Sequence, residues 1–463
     1  MAQKVDDNTD TAWCAESKLN PIDWSKEMSK PAMPGFHPST RLFRFTVLFF
    51  VAMLTFGSYF AYDIIGAIAP TLIEQLGASR GTVGSFYTIY SIAAILSVLI
   101  GGFLIDILGT RRASLIFSSL VFVGAALVAM ADSLPLLYAG RFIFGGGSEP
   151  LVVAQSAILA RWFKGKELAL SFGIALTVSR LGTLFSFNTG ELIAARFGGY
   201  RAALLAAAVF CALSLLANIV YFFMDRYGAR KLALEEGESE EKIVLKDVKS
   251  FSPSFWYIAM LCLLFYSAIF PFTALSTDLF VDKWGIQRVA ETTGGFFRSV
   301  FGNFMHMFST AGGISSIIIF ASMVCAPFAG QFVDRFGKRA SLMIIGSLLM
   351  IPAHLLLAFT HIYPAWPMIV LGVAFVLVPA AMWPSVPLIV RKQAVGTAFG
   401  LITFIQNIGL ALFPFLNGKL RDLTETYTSS MVMFAALGVL GLIFALLLLR
   451  ADRREGGILE RGR

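Results

Sequence analysis

Charge is what this 463-residue sequence most lacks. Asp, Glu, Lys and Arg make up 14% of it, against about 25% in soluble domains. Hydrophobic residues reach 57%, and mean hydropathy is +0.74. A water-soluble globule and a disordered chain are excluded. Cysteine is scarce too: Cys14 lies in the N-terminal tail, and Cys211, Cys262 and Cys325 lie inside apolar runs. No structural disulfide is expected. Asn-x-Ser/Thr is absent, so no glycosylated luminal face is expected, which points to a prokaryotic source. The first 40 or so residues are polar, so no cleavable signal is expected. There is no Gly-x-x-x-x-Gly-Lys-Ser/Thr, no Cys/His cluster with zinc spacing and no Gly-x-Ser-x-Gly. Neither ATP-driven transport by this chain nor an enzyme or cofactor is expected.

What the chain has instead is long apolar runs. Phe45 to Phe56 does not alternate polar with apolar, unlike a membrane β-barrel strand. A spanning helix needs about 20 mostly apolar residues. Twelve runs qualify: 45–73, 81–105, 112–131, 135–162, 167–195, 200–224, 254–280, 312–333, 339–360, 364–390, 395–417 and 427–449. The fold class expected is an all-α membrane protein of twelve transmembrane helices in two six-helix bundles. The bundles are 45–224 and 254–449. They are joined by a charged linker, 225–253, carrying Glu235, Glu236, Glu238, Glu240 and Glu241. Tails 1–44 and 450–463 complete the chain.

The net charge is +8. The excess sits in short loops, so topology rather than nucleic acid explains it. With both termini inside, 27 of the 37 Lys and Arg fall on the inner side. This asymmetry orients the chain with cytoplasmic termini. The partners expected are the lipid bilayer and a small-molecule substrate, for a chain acting as a monomer.

There is an internal repeat. Gly102-Phe103-Leu104-Ile105-Asp106-Ile107-Leu108-Gly109-Thr110-Arg111-Arg112 corresponds to Gly330-Gln331-Phe332-Val333-Asp334-Arg335-Phe336-Gly337-Lys338-Arg339, 228 residues later. The shared pattern, Gly-x-x-x-Asp-x-x-Gly-x-Arg with a further basic residue beside the Arg, resembles the signature of the major facilitator superfamily. Small residues let helices approach. An Asp at an inner helix end can pair with a base or a helix N-terminus. Asp106, Arg111, Arg112, Asp334, Lys338 and Arg339 are therefore the candidate conformational switch, in two bundles rocking about a central site.

Charges at membrane depth cost about 2.5–3.5 kcal/mol each on insertion scales. Glu149 falls near the middle of the fourth run and Arg180 near the middle of the fifth. A zwitterion with an amine and a carboxylate would satisfy both, and so would a structural Glu149–Arg180 pair. Asp63 lies near the middle of the first run, after Tyr59 and Tyr62. It is a candidate proton site, substrate contact or Arg180 partner, with a structural role equally open. Arg141 lies eight residues before Glu149, about 12 Å toward the outside, and is assigned to helix packing or gate pairing. The second half is poor in midplane charge. Its candidates are Tyr266, Trp383, Gln406 and Asn407, with Asn188 in the first half. His354 is assigned to the core. Segment 281–311, rich in Phe, is expected to extend the seventh or eighth helix, with an interfacial amphipathic helix or gate-covering flap as the alternative.

A more specific resemblance rests on Gly140-Arg141-Phe142-Ile143-Phe144-Gly145 through Glu149, Val153-Ala154-Gln155 and Trp162-Phe163-Lys164-Gly165-Lys166-Glu167-Leu168. Tyr59-Phe60-Ala61-Tyr62-Asp63, Met382-Trp383-Pro384 and Gln406-Asn407-Ile408-Gly409 add to it. These blocks resemble the lysosomal dipeptide uniporter branch of the superfamily. The resemblance implies passive movement of dipeptides, with Glu149 on the amino end and Arg180 on the carboxylate. It also implies a lysosomal membrane in a eukaryotic source, or the inner membrane in a prokaryotic one. A competing reading is a proton-coupled organic-anion or monocarboxylate carrier, in which Glu149 or Asp63 titrates. A third is a non-transporting sensor or a subunit needing a partner.

Overall fold

The computed structural model describes residues 37–163, 167–232, 248, 251–290, 295–391 and 394–461. The expected tail up to residue 36 and nearly all of the linker beyond Leu232 lie outside the described residues. So do Cys14 and the five linker glutamates.

The first half contains α1 (Arg41–Ala67), α2 (Ala69–Leu76), α3 (Arg80–Met130), α4 (Leu134–Phe163), α5 (Leu168–Phe197) and α6 (Tyr200–Leu232). The second contains α7 (Pro253–Thr273), α8 (Ser276–Trp284), α9 (Phe296–Met305), α10 (Ala311–Phe336), α11 (Arg339–Phe359), α12 (Ala365–Ile389), α13 (Val395–Thr424) and α14 (Thr428–Arg454). Among the described residues, twelve helical stretches are long and apolar enough to cross a membrane, two of them within α3. Helical order is favoured because hydrocarbon offers backbone N–H and C=O groups no water, so each must be paired within its own segment. Side chains complete several helix starts. Thr40 accepts from Phe43 N, Ser79 from Thr82 N and Thr310 from Gly313 N.

The repeat has a backbone cause. Gly109 interrupts α3 at φ 77°, ψ 156°. Gly337, its counterpart 228 residues on, has φ 68°, ψ −105° between α10 and α11. Both turns need a positive φ that a side chain resists. Proline is frequent inside the spans: Pro379, Pro384 and Pro387 in α12, Pro271 in α7 and Pro414 in α13. Each removes an N–H from the ladder and favours a kink.

Segment 281–311 corrects the expectation of a simple helix extension. The seventh span breaks at Ala274–Leu275, and α8 continues it only to Trp284. α9 is a separate helix, and it packs on α5 of the other half.

The halves meet most closely at the end away from the termini. There the start of α3 runs against the end of α13. A Cβ on Gly84 would strike the Pro414 carbonyl, and one on Gly418 the Arg80 carbonyl. Asp422 of α13 accepts from the first two amides of α3, Arg80 N at 3.0 Å and Gly81 N at 2.8 Å. A carboxylate from one half thus caps a helix N-terminus of the other. Arg80 Nε donates to Asp278 at 2.7 Å, and Tyr427 donates to the same oxygen. Arg288 pairs with Glu74 at 2.6 Å. Thr277 donates to the Gly66 carbonyl at 2.5 Å, and Asn188 donates to Ser316 at 2.9 Å.

At the terminus-bearing end, a buried carboxylate organises the first half. Asp225 lies 3.5 Å from Arg111 and 3.3 Å from Arg161, and accepts from Trp162 Nε1 at 2.9 Å and Tyr221 at 3.2 Å. In the second half, Lys338 lies 3.6 Å from Glu460, and Arg339 N donates to the Leu459 carbonyl. Arg111 also lies over the Phe222 ring at 5.4 Å. Asp106, Arg112 and Asp334 are placed at this end too.

Candidate functional site

Glu149 is one turn from Gly145, whose missing side chain lets α4 lie against the Tyr90 backbone of α3. That approach brings the Tyr90 hydroxyl to Glu149, to which it donates at 2.9 Å. Ser148, the preceding residue, lies 2.5 Å from Ser58 of α1. Glu149 is thus held between α1 and α3. On α5, Arg180 and Thr183 are three residues apart and share a face. Thr183 donates to the Asp63 carboxylate at 2.6 Å. Arg180 lies over the Phe375 ring of α12 at 4.7 Å, a contact between the two halves.

Among the described residues, neither Glu149 nor Arg180 has an oppositely charged group within 4.0 Å. The structural pair that the sequence left open is not formed. Both side chains are half-buried. Glu149, Arg180 and Asp63 each lie within electrostatic range of Tyr59. Asp63 is 6% exposed, and the fields of Arg180 and Arg141 reach it without an ion pair. Two unpaired charges of opposite sign that remain partly accessible can take up a ligand carrying both complements.

The second half presents aromatic and neutral polar groups. Trp383 Nε1 donates to the Tyr266 hydroxyl at 3.0 Å, and Trp383 lies 5.9 Å from the Phe399 ring. Tyr266 feels both Arg180 and Tyr59 and stacks on Phe270 at 5.7 Å. Cys262 lies 3.6 Å from the Gln406 amide oxygen. The structure therefore gathers Tyr59, Asp63, Arg180 and Tyr266, with Trp383 held through Tyr266. Tyr62 stands beside Tyr90 at 4.8 Å, and so behind Glu149. Asn407 is placed elsewhere. It donates to the Thr403 carbonyl of its own helix and faces Ile95 and Val98 of α3. Asn188 belongs to the α5–α10 seam, and His354 is fully buried between Phe272 and Phe434.

Arg141 is 2% exposed. It lies over the rings of Tyr62, Tyr87, Tyr90 and Phe144 at 5.3–5.7 Å and donates to the Phe86 and Ala61 carbonyls at 3.3 Å. The aromatic faces and carbonyls replace a counter-ion, and they join α1, α3 and α4 behind Glu149.

Sequence reasoning missed Tyr90, Thr183, Phe375 and Asp225. Thr183 carried a signal, its three-residue spacing from Arg180. Phe375 is one of 44 phenylalanines, and nothing marked it. Among the described residues there is no group of three His, Cys, Asp or Glu able to hold a metal ion.

Comparisons with known proteins agree with this architecture. The chain is 34% identical over 439 residues to the lysosomal dipeptide transporter MFSD1 of Danio rerio, covering 92% of this chain and 91% of the relative. It is 32% identical over 448 residues to the protein of that name in Homo sapiens, covering 93% and 92%. Among solved structures, it resembles a bacterial homolog of the human lysosomal transporter Spinster in an inward-facing, occupied conformation. That match has a TM-score of 0.69 and 14% identity, over 90% of this chain and 99% of the other. A peptide transporter POT in complex with alafosfalin matches with a TM-score of 0.68 and 15% identity, over 90% and 96%. These last two show the fold. The Major Facilitator Superfamily matches over residues 51–309 and 292–462. With twelve candidate spans, a duplicated Gly109/Gly337 turn and this match over most of its length, the chain belongs to the major facilitator superfamily, a family of multi-pass membrane transporters and not of enzymes.

Proposed function

We propose that this transporter moves dipeptides by alternating access, with Glu149 receiving the amino end and Arg180 the carboxylate. The observation that supports this most is that, among the described residues, Glu149 and Arg180 are half-buried charges of opposite sign around Tyr59 with no ion pair to either. A zwitterion supplies both missing partners. Tyr90 orients Glu149, Phe375 supports Arg180, and Tyr59 lies within reach of both charges. Tyr266, Trp383 and Gln406 form the facing wall contributed by the second half. The names of the vertebrate relatives support the same substrate class.

We place both termini in the cytoplasm on the loop-charge asymmetry. The conformation described is then closed toward the outer or luminal side. Asp106, Arg111, Arg112, Asp334, Lys338 and Arg339 lie at the cytoplasmic end, where they stabilise the opposite conformation. The chain acts as a monomer.

The test is a thermal-shift panel on purified protein. It contains dipeptides, their N-acetylated and C-amidated forms, free amino acids and simple carboxylates. A ligand at 100 times its Kd adds about 2.7 kcal/mol of apparent stability. Stabilisation by free dipeptides, lost in Glu149→Gln and in Arg180→Ala, is expected. Stabilisation by plain carboxylates that survives Glu149→Gln would overturn the two-ended clamp. It would favour the organic-anion carrier, in which Asp63, hydrogen-bonded by Thr183, takes the coupling proton.

A further inference from the structure

We infer that α9 is not an extramembrane loop helix but a membrane-inserted segment. Its exposed apolar stripe faces the acyl chains of the outer leaflet, while its inner face clasps α5 beside the seal. The stripe is Phe297 (86% exposed), Phe301 (66%), Met305 (66%) and Phe308 (49%). The first three are four residues apart and share one helix face. Four large apolar side chains presented together to water would be a pronounced unfavourable surface.

The register on α5 sets the depth. The Phe296 ring lies 5.2 Å from Phe197, at the end of α5, and the Phe304 ring lies 5.1 Å from Phe185. Those two α5 residues are twelve apart, about 18 Å along a helix. α9 therefore runs antiparallel to α5, from its tip inward. With the bilayer centred on the middle of α5, Phe185 lies within the roughly 30 Å hydrocarbon layer and Phe197 beyond it. The chain then turns into α10, whose Gly312 lies against the Phe187 carbonyl at the same depth.

Three further observations agree. The stripe continues the apolar surface of α5, where Phe185 and Phe197 are themselves exposed. Two polar groups of α9, Ser299 and Asn303, turn inward. Ser299 accepts from Arg196 at 2.8 Å, and Asn303 donates to the Asn188 carbonyl at 3.0 Å. Described backbone groups on either side of the helix are paired, as a low-dielectric setting demands. Asn303 accepts from Ala290 N at 2.9 Å, and Ala311 N donates to the Gln287 carbonyl at 2.9 Å. Arg298 and His306, also exposed, sit at the two ends of the stripe. Arg298 lies at the outer end, where a long cationic side chain can reach the headgroups.

Because α9 belongs to the second half by sequence and grips α5 of the first, the leaflet and the seal act on the same helix. Opening the far end requires α9 either to release α5 or to move with it through lipid.

The test is spin-label accessibility in the full chain reconstituted in phosphatidylcholine liposomes. The background carries Cys14→Ser and Cys325→Ala, with the buried Cys211 and Cys262 left in place. Labels go on Phe297→Cys, Phe301→Cys and Met305→Cys. Phe328→Cys, on an exposed face of α10, is the lipid reference, and Ser133→Cys, in a connection, is the aqueous one. Oxygen accessibility exceeding that of a water-soluble nickel chelate at positions 301 and 305, as at position 328, is expected, with position 297, at the level of Phe197, reading as interfacial. Chelate accessibility matching position 133 would overturn the proposal by placing α9 in water. Shielding from both reagents would overturn it in favour of a covering protein. The three labels are read separately, so a variant that fails to fold leaves two independent readings.

Discussion

The seal at the end away from the termini makes a quantitative prediction. Asp278 is 5% exposed and accepts from Arg80 across the halves and from Tyr427 within its own. Asp278→Asn keeps the shape and removes the charge. When the halves part, Asp278 retains Tyr427 but loses Arg80, so the Arg80 interaction is the part that biases the equilibrium. A hydrogen bond to a charged group contributes about 1.5–3 kcal/mol. At 1.4 kcal/mol per tenfold, the substitution shifts the population toward far-end opening by about 10- to 150-fold. The assay is a distance measurement by double electron–electron resonance between labels at Ser133→Cys and His361→Cys, exposed positions on the two halves at this end. The same Cys14/Cys325-substituted background serves. A longer-distance component should appear or grow in Asp278→Asn. An unchanged distance distribution in a folded variant would refute the reasoning, because it would mean that the Arg80–Asp278 contact does not distinguish the two conformations.

Three other outcomes follow from particular contacts. Phe375→Ala removes the ring beneath Arg180. A desolvated cation–π contact of about 2 kcal/mol predicts up to roughly 30-fold weaker dipeptide binding by titration, with near-normal binding in Phe375→Tyr. Equal loss in both variants would show that the ring face is not what matters. Asp225→Asn strands two arginines around a fully buried site. A loss of about 3–5 kcal/mol is expected, read as a large fall in Tm, and a Tm within a degree or two of the parent would show that Asp225 does not organise this end. Gly418→Leu places a side chain against the Arg80 carbonyl, so the far-end seal should fail to close. The 133–361 distance should lengthen, and transport should stop with ligand binding retained; a short distance and normal flux would show that the seam tolerates bulk.

Part of the site is legible in the amino-acid sequence because it rests on local rules. A charge in hydrocarbon is expensive wherever the chain takes it, so Glu149 and Arg180 stand out by their distance from the span ends alone. The Gly109 and Gly337 turns are legible for a similar reason, since positive φ restricts residue type at the position itself. Asn407 shows the limit. Its depth is right for a ligand contact, but depth does not tell which face a residue presents, and the packing of α13 on α3 turns it toward Ile95 and Val98. The same holds for α9. Its phenylalanines are visible in the sequence, but their docking onto a helix of the opposite half is not.

The sequence by itself determined the number of spans, their order, the duplication and the mid-depth charges. Each follows from hydropathy, spacing or backbone constraint within a few turns of chain. Tertiary structure alone decided that Glu149 answers to Tyr90 rather than to Arg180, that Asp63 is held by Thr183, that Arg141 rests among aromatic rings, and that Arg180 leans on Phe375 from the other half. These partners stand 59, 120 and 195 residues apart for Glu149, Asp63 and Arg180. No local rule links such positions. Which of several polar neighbours a buried charge meets depends on how whole helices pack, and the close approach allowed by glycines such as Gly145 and Gly84 settles it.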